Sequence, residues 1–375
     1  MNEFATKCVH AGTIEDVQSK GINSPVFTST SYAYIDREDT VYPRYLNTPN
    51  EKAVAEKIAA LERAEKALVF SSGMAAISTT IFGLLNAGDH IVFQSGLYGG
   101  TTNFIVSELE RFGIRFTVAK GRKPEEIMAS VKPETKLIYI ETPSNPLLNI
   151  TDISGVSTLA KEKGILTIID NTFASPVNQV PVAHGIDIVI HSATKYMGGH
   201  SDICAGAVAS SEAIIDRIYP TALNFGGSLN AITLYLLERS LKTLDVRVER
   251  INKNALTVAQ FLAMHPGVSK VNYPGLPEHP EHHLARKQMS GFGGMLSFEL
   301  KKEDSLAFQN RLKMIRPSMS LGGVETIVSS PAHTSHRHLG TEGRRKEGIA
   351  EGLIRMSVGI ESFVDIIDDI DQALD

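Results

Sequence analysis

The chain has 375 residues, 42% hydrophobic and 21% charged, with a formal net charge of -5. That length exceeds one ordinary core and predicts a larger and a smaller domain, and the mild acidity gives no electrostatic basis for binding nucleic acid or an anionic membrane. Only two cysteines occur, Cys8 and Cys204, too far apart for a disulfide scaffold or a cysteine zinc site.

Residues 1–47 are rich in Ser, Thr, Tyr and Pro, show little helical periodicity and read as an extended arm. Residues 1–12 lack an apolar signal core and no apolar run is long enough to span a bilayer, so a cytoplasmic protein is expected. From residue 51 the pattern changes: Val54, Ile58 and Leu61 mark one face of a helix over 51–65. A short apolar run at 67–70 leads through Ser71-Ser72-Gly73 into a helix over 74–85. Strands are predicted at 91–93, 115–118, 137–140, 166–169 and 186–190, with helices over 101–112, 124–131 and 153–163, the last stopped by Gly164. Apolar strands alternating with amphipathic helices predict an α/β domain with a mostly parallel sheet covered on both faces. After about residue 241 longer helices such as 246–265 accompany separate strands at 268–273 and 294–300, which predicts a smaller α+β domain. The expected division is an arm at 1–47, a larger domain at 48–240 and a C-terminal domain at 241–375.

In such a sheet, ligands sit beyond the carboxyl ends of the strands. Four strand ends carry suitable residues. Ser72, Gly73 and Met74 open a helix whose free N–H groups suit a phosphate, although a plain strand–helix turn reads the same way. Asp170 ends the strand 166–169, where an acid also commonly caps a turn. Lys195 follows the strand 186–190 among Ser192, Thr194, Gly198 and Gly199; a half-buried lysine there has its ammonium form disfavoured and becomes a nucleophile, against the plainer reading of a surface lysine. Tyr98, followed by Gly99 and Gly100, suits stacking on a flat ring, though tyrosines are more often simply packed. Together the four supply what pyridoxal 5′-phosphate (PLP) needs: an imine-forming amine, a carboxylate for the pyridinium nitrogen, a phosphate cradle and a stacking aromatic.

Seven blocks extend the pattern: Ser72-Gly73-Met74-Ala75-Ala76, Leu97-Tyr98-Gly99-Gly100-Thr101, Glu141-Thr142-Pro143-Ser144-Asn145-Pro146, Asp170-Asn171-Thr172-Phe173, residues 191–202, Ser320-Leu321-Gly322-Gly323 and Arg355-Met356-Ser357-Val358-Gly359. In these blocks and their order the chain resembles the cystathionine lyases, cystathionine γ-synthases and methionine γ-lyases, fold-type I PLP enzymes with an aminotransferase-like α/β domain. The resemblance implies that Lys195 binds PLP covalently and moves protons, Asp170 pairs with the ring nitrogen, and Tyr98 stacks on the ring and takes a proton from the substrate amine. It implies that Ser72, Gly73, Met74, Ser192 and Thr194 hold the phosphate, and that Asn145, Arg355 and Ser320 hold the substrate carboxylate. Tyr42 and Arg44 match an arm motif that reaches the phosphate of a neighbouring subunit, which implies a homo-oligomer, expected as a dimer of dimers.

The implied activity is β- or γ-elimination from cystathionine or a related sulfur amino acid, releasing a 2-oxo acid, ammonia and a thiol. The alternatives are γ-replacement on an activated homoserine ester, methionine γ-lyase activity, or a non-catalytic PLP- or metal-binding role. Three departures bear on the choice. The arm reads Asn47-Thr48-Pro49 where the family has Asn-Pro-Thr. Gly100 replaces the cysteine of methionine γ-lyases, which counts against that specialisation. Met319 stands where many γ-lyases and γ-synthases have glutamate, and no arginine lies near Asn103, so the distal end of the substrate loses polar partners. His279, His282 and His283, and likewise His333, His336 and His338, lack a zinc pattern and read as solvated loop histidines; residues 365–371 read as the solvated acidic face of a terminal helix over 364–374.

Overall fold

The computed structural model describes residues 3–36, 38–301 and 304–375, without the side chain of His338. Met1, Asn2 and Arg37 of the expected arm, and Lys302 and Glu303, lie outside the described residues. The main sheet has seven strands: β1 (Lys66–Phe70), β2 (His90–Phe93), β3 (Arg115–Val118), β4 (Thr135–Glu141), β5 (Leu166–Asp170), β6 (Ile188–His191) and β7 (Gly206–Ser210). Their order is β1-β7-β6-β5-β4-β2-β3. Strands β3, β2, β4, β5 and β6 pair in parallel, and β7 lies antiparallel between β6 and β1.

Side chains alternate between the two faces, and both faces are covered. On one, Ile91, Tyr139, Ile168 and Ile190 pack with Ile77 and Ile81 of the helix Gly73–Leu84 and with Ile215 and Ile218 of the helix Glu212–Phe225. On the other, Val92, Ile138, Ile169 and Val189 meet Ile153 and Val156 of the helix Ile153–Glu162. Both faces being dry, the strands read as unbroken apolar runs. Strand β7 left no such signature because its residues, Gly-Ala-Val-Ala-Ser, are small.

A second sheet of five strands has the order β10-β11-β12-β9-β8, with β8 (Val268–Asn272), β9 (Met295–Leu300), β10 (Arg316–Pro317), β11 (Ile327–Ser329) and β12 (Leu353–Ser357). The helices Leu244–Met264 and Phe363–Leu374 bury Val258, Leu262, Ile366 and Ile370 against Phe298 and Ile354 of this sheet.

Several expectations are corrected. The arm is not wholly extended: Phe4–His10 is a helix, and its Cys8 is fully buried. The helix expected over 101–112 is three pieces, an α-turn at Gly99–Phe104, a π-turn at Ile105–Leu109 and a 3-10 turn at Glu110–Phe112. The acidic face of the terminal helix is not all solvated, because Asp369 is buried and accepts hydrogen bonds from the main-chain N–H groups of Lys313, Met314 and Ile315. His279 and His336 are buried rather than solvated. Burial holds the His279 imidazole down to a pKa of about 4.

Candidate active site

The carboxyl ends of β4, β5 and β6 open on a cavity of about 390 Å³. Asp170 is the last residue of β5 and lies beside Glu141, the last residue of β4, in the parallel register. Its carboxylate is buried, and Oδ1 accepts the Thr172 main-chain N–H at 3.0 Å. Burial pushes its carboxyl above the ordinary range, opposed by the two Thr172 donors. Among the described residues no lysine or arginine pairs with it. A buried acid of this kind is a waiting partner for a cationic ring nitrogen.

Lys195 leaves the sheet in a tight turn after β6. The Lys195 N–H donates to the Ser192 carbonyl at 3.1 Å, and the Lys195 carbonyl accepts the Gly199 N–H at 2.7 Å. From behind, the buried Arg247 donates to the carbonyls of Tyr196 (2.8 Å), Met197 (3.4 Å) and Ser240 (2.8 Å), which fixes the turn. The Lys195 amine projects into the cavity and donates to Ser320 Oγ at 2.7 Å. Burial, then the Arg355 charge, holds its pKa below that of an ordinary lysine. The neutral, nucleophilic form is thereby favoured.

The phosphate side is the start of the helix Gly73–Leu84. Ser72 caps it, Oγ accepting the Ala75 N–H at 3.1 Å, while the N–H groups of Gly73 and Met74 have no carbonyl within the helix to reach. Ser192 lies so close that a Cβ on residue 73 would sit 2.9 Å from its Cβ, which explains the glycine. Ser192 is itself held by its N–H donating to Thr172 Oγ1 at 2.8 Å. Thr194 also lines the cavity, but its hydroxyl donates to the Ala205 carbonyl at 3.1 Å. Tyr98 stands at the other wall, about half exposed, its ring folded back over residue 100, where a Cβ would approach the ring to 2.4 Å. A side chain at residue 100, such as the cysteine expected of a methionine γ-lyase, is thus incompatible with this tyrosine rotamer.

Across the cavity, Arg355 projects from β12. It donates from Nη1 to Asn145 Oδ1 at 3.1 Å and from Nη2 to the Ser320 carbonyl at 2.9 Å. Ser320 occupies a left-handed backbone conformation at φ 82°. Arg355, Asn145 and Ser320 therefore form one group on the cavity wall, joined to Lys195 through the Ser320 hydroxyl. Met319 also lines the cavity and is 65% exposed. Tyr42 and Arg44 stand apart from it: Tyr42 packs edge-on against Tyr45, and Arg44 donates to the Leu223 carbonyl.

Sequence reasoning assigned no role to Glu141, Thr172, Arg247 or the wall residues Phe173, Cys204, Thr334 and Ser335. Glu141 was discoverable, because it ends an apolar strand just as Asp170 does. Arg247 was not, since one arginine in a 21-residue helix has no local signature.

These residues fit PLP: an unpaired buried acid, a half-buried amine of depressed pKa, a helix N-terminus and a facing aromatic share one cavity. Comparisons with known proteins agree. Residues 5–375 match the family described as Cys/Met metabolism PLP-dependent enzyme. The chain is 41% identical to cystathionine gamma-lyase of Bacillus subtilis (strain 168), over 99% of this chain and 98% of that protein. It is also 41% identical to cystathionine beta-lyase of Lactococcus lactis subsp. cremoris (strain MG1363), over the full length of both. The fold matches the crystal structure of cystathionine gamma-lyase from Lactobacillus plantarum complexed with L-serine with a TM-score of 0.95 at 38% identity, covering 99% of this chain and 98% of that one. The chain therefore belongs to the Cys/Met metabolism PLP-dependent enzymes and is a carbon–sulfur lyase that uses PLP.

Proposed function

We propose that the substrate is cystathionine or a close sulfur amino acid, cleaved by β- or γ-elimination to a 2-oxo acid, ammonia and a thiol. One observation carries this reading: the Lys195 amine and the Arg355–Asn145 pair converge on a cavity whose remaining wall is largely apolar, with Ile77, Phe173, Met319 and Leu321. Such a wall suits the thioether of the substrate. PLP, when bound, supplies the electron sink that makes the substrate Cα proton acidic.

The chain's own residues do the rest. Asp170 would pair with the ring nitrogen and keep it protonated; Ser72, Gly73, Met74, Ser192 and Thr194 would hold the phosphate. Arg355 grips the substrate carboxylate with Asn145 and fixes Cα beside Lys195. Tyr98 would stack on the ring, with its hydroxyl placed to take a proton from the arriving substrate amine. The Lys195 amine then takes the Cα proton; for γ-cleavage it gives that proton up before taking one from Cβ, and it returns the proton it then holds to the leaving thiolate. Ser320, hydrogen-bonded to the amine, keeps it aimed at this task.

The chain operates, in this reading, as a cytoplasmic homo-oligomer divided at about residues 47 and 240. Tyr42 and Arg44 lie outside their own cavity and so are available to the phosphate site of a neighbour. No helix among the described residues is long and apolar enough to cross a membrane.

The product formed from cystathionine tests the reading. Pyruvate identifies β-cleavage and 2-oxobutyrate γ-cleavage. Rapid cystathionine synthesis from an activated homoserine ester and cysteine, with little keto acid from cystathionine, would replace the lyase by a γ-synthase.

A further inference from the structure

The cavity holds a second buried carboxyl that the mechanism above does not use. Glu141 is 4% exposed, lines the cavity and lies beside Asp170 across β4 and β5. Its Oε2 accepts the Tyr98 main-chain N–H at 2.7 Å. Few other contacts hold Tyr98: it opens a helix of six residues, makes no side-chain cap and is 48% exposed. The anchor of the stacking residue is thus a side chain from the strand next to the one that carries Asp170. On the same carboxyl converges the main-chain N–H of Asn145, the residue paired with Arg355.

We propose that Glu141 is a positioning residue for the lyase reaction: its carboxyl ties the Tyr98 main chain to the floor of the cavity and so sets the tyrosine ring against the cofactor. The inference rests on the roles given above to Tyr98 and Asp170. Two carboxyls side by side in one buried pocket do not both hold a full charge. Burial and the Asp170 charge push Glu141 well above the usual carboxylate range, against the pull of the Tyr98 and Asn145 N–H groups; burial raises Asp170 as well, but the Thr172 hydroxyl and N–H oppose it. The proton of the pair therefore sits on Glu141. Its role is that of a neutral acceptor, and the pocket's negative charge stays on Asp170, under the ring nitrogen.

A neutral acceptor has a neutral mimic. In Glu141→Gln the amide oxygen accepts the same N–H, whereas Glu141→Ala leaves it unpaired and Glu141→Asp falls short of it. Three readouts are compared with wild type: the PLP dissociation constant, the pH midpoint of the bound cofactor's visible absorbance, and kcat/KM. Glu141→Gln is expected to keep the midpoint and stay within about threefold on the other two. Glu141→Ala and Glu141→Asp are expected to weaken PLP binding and lower kcat/KM by about tenfold or more, the scale of one buried donor left unsatisfied. If Glu141→Ala does not fold, Glu141→Asp against Glu141→Gln decides. A midpoint moved by about one pH unit in Glu141→Gln would show that Glu141 acts through charge and overturn the proposal; wild-type behaviour of Glu141→Ala or Glu141→Asp would also overturn it. Wild-type enzyme that fails to take up PLP on Lys195 refutes instead the reading on which the inference stands.

Discussion

Two lysines, the buried Lys57 and the half-buried Lys195, have amines held below their ordinary pKa by burial, and only one faces the chemistry. Lys57 lies in the helix Pro49–Glu62, fully buried, with its pKa down to about 8. Its amine donates to the carbonyls of Cys8 (3.1 Å) and Val9 (3.4 Å), which end the N-terminal helix. Lys195 donates to one hydroxyl, Ser320 Oγ, and otherwise faces open cavity. A depressed lysine pKa records burial; what distinguishes a reactive lysine is an amine with unused valence toward a space that a ligand can fill. Lys195→Ala carries the largest expected effect. It is expected to lower kcat by at least about a thousandfold, since covalent binding and proton transfer are both lost. Borohydride reduction should label wild-type Lys195 and leave the variant unlabelled. Near-normal turnover in the variant would remove Lys195 from the mechanism.

Lys57→Met should do the reverse. The apolar side chain fills similar space but leaves the Cys8 carbonyl without its donor, while the Val9 carbonyl keeps the Thr13 hydroxyl. A loss of about 1–3 kcal/mol of stability is expected, the cost of an unsatisfied buried polar group. The kcat per folded enzyme should stay within about twofold of wild type, because Lys57 does not line the cavity. Denaturant unfolding alongside initial rates measures both. A large fall in kcat at unchanged PLP content would mean that docking of the N-terminal helix reaches the active site, and the two lysines would no longer be independent.

The same contrast explains what the sequence made legible. Residues on strand ends were found because an apolar run stops at a polar residue where ligands gather; Asp170, Lys195 and the Ser72–Met74 turn all follow that pattern. Arg355 and Ser320 came from the resemblance alone. They act from the second sheet, and nothing within β12 tells that its arginine crosses to Asn145, 210 residues away. Polar residues buried beneath helices were not legible. Lys57, Arg247 and Asp369 look like surface charges on amphipathic helices, and only the packed chain shows each satisfying main-chain groups of another segment. The π-turn at Ile105–Leu109 escaped for a related reason, since its apolar spacing fits an ordinary helix.

Glu51 is the acidic counterpart of Lys57, and its substitution is expected to affect catalysis least. It shares the helix of Lys57, is 2% exposed, and its Oε1 has no hydrogen-bond partner. Burial alone raises its pKa from 4.5 to about 8. The folded state therefore binds more protons than the unfolded state between those two values. Its contribution to stability is fully present below pH 4.5 and is lost as pH rises towards 8, where the folded protein must ionise a buried acid or unfold. Glu51→Gln removes that titration and keeps the shape. It should be close to wild type at pH 5 and increasingly more stable than wild type as the pH rises to 8. PLP content and kcat should be unchanged at both pH values. Thermal melts of the two proteins across this range measure the difference. A constant offset between them would mean that Glu51 finds a cationic partner in the assembled enzyme, and burial would then be paired here rather than merely endured.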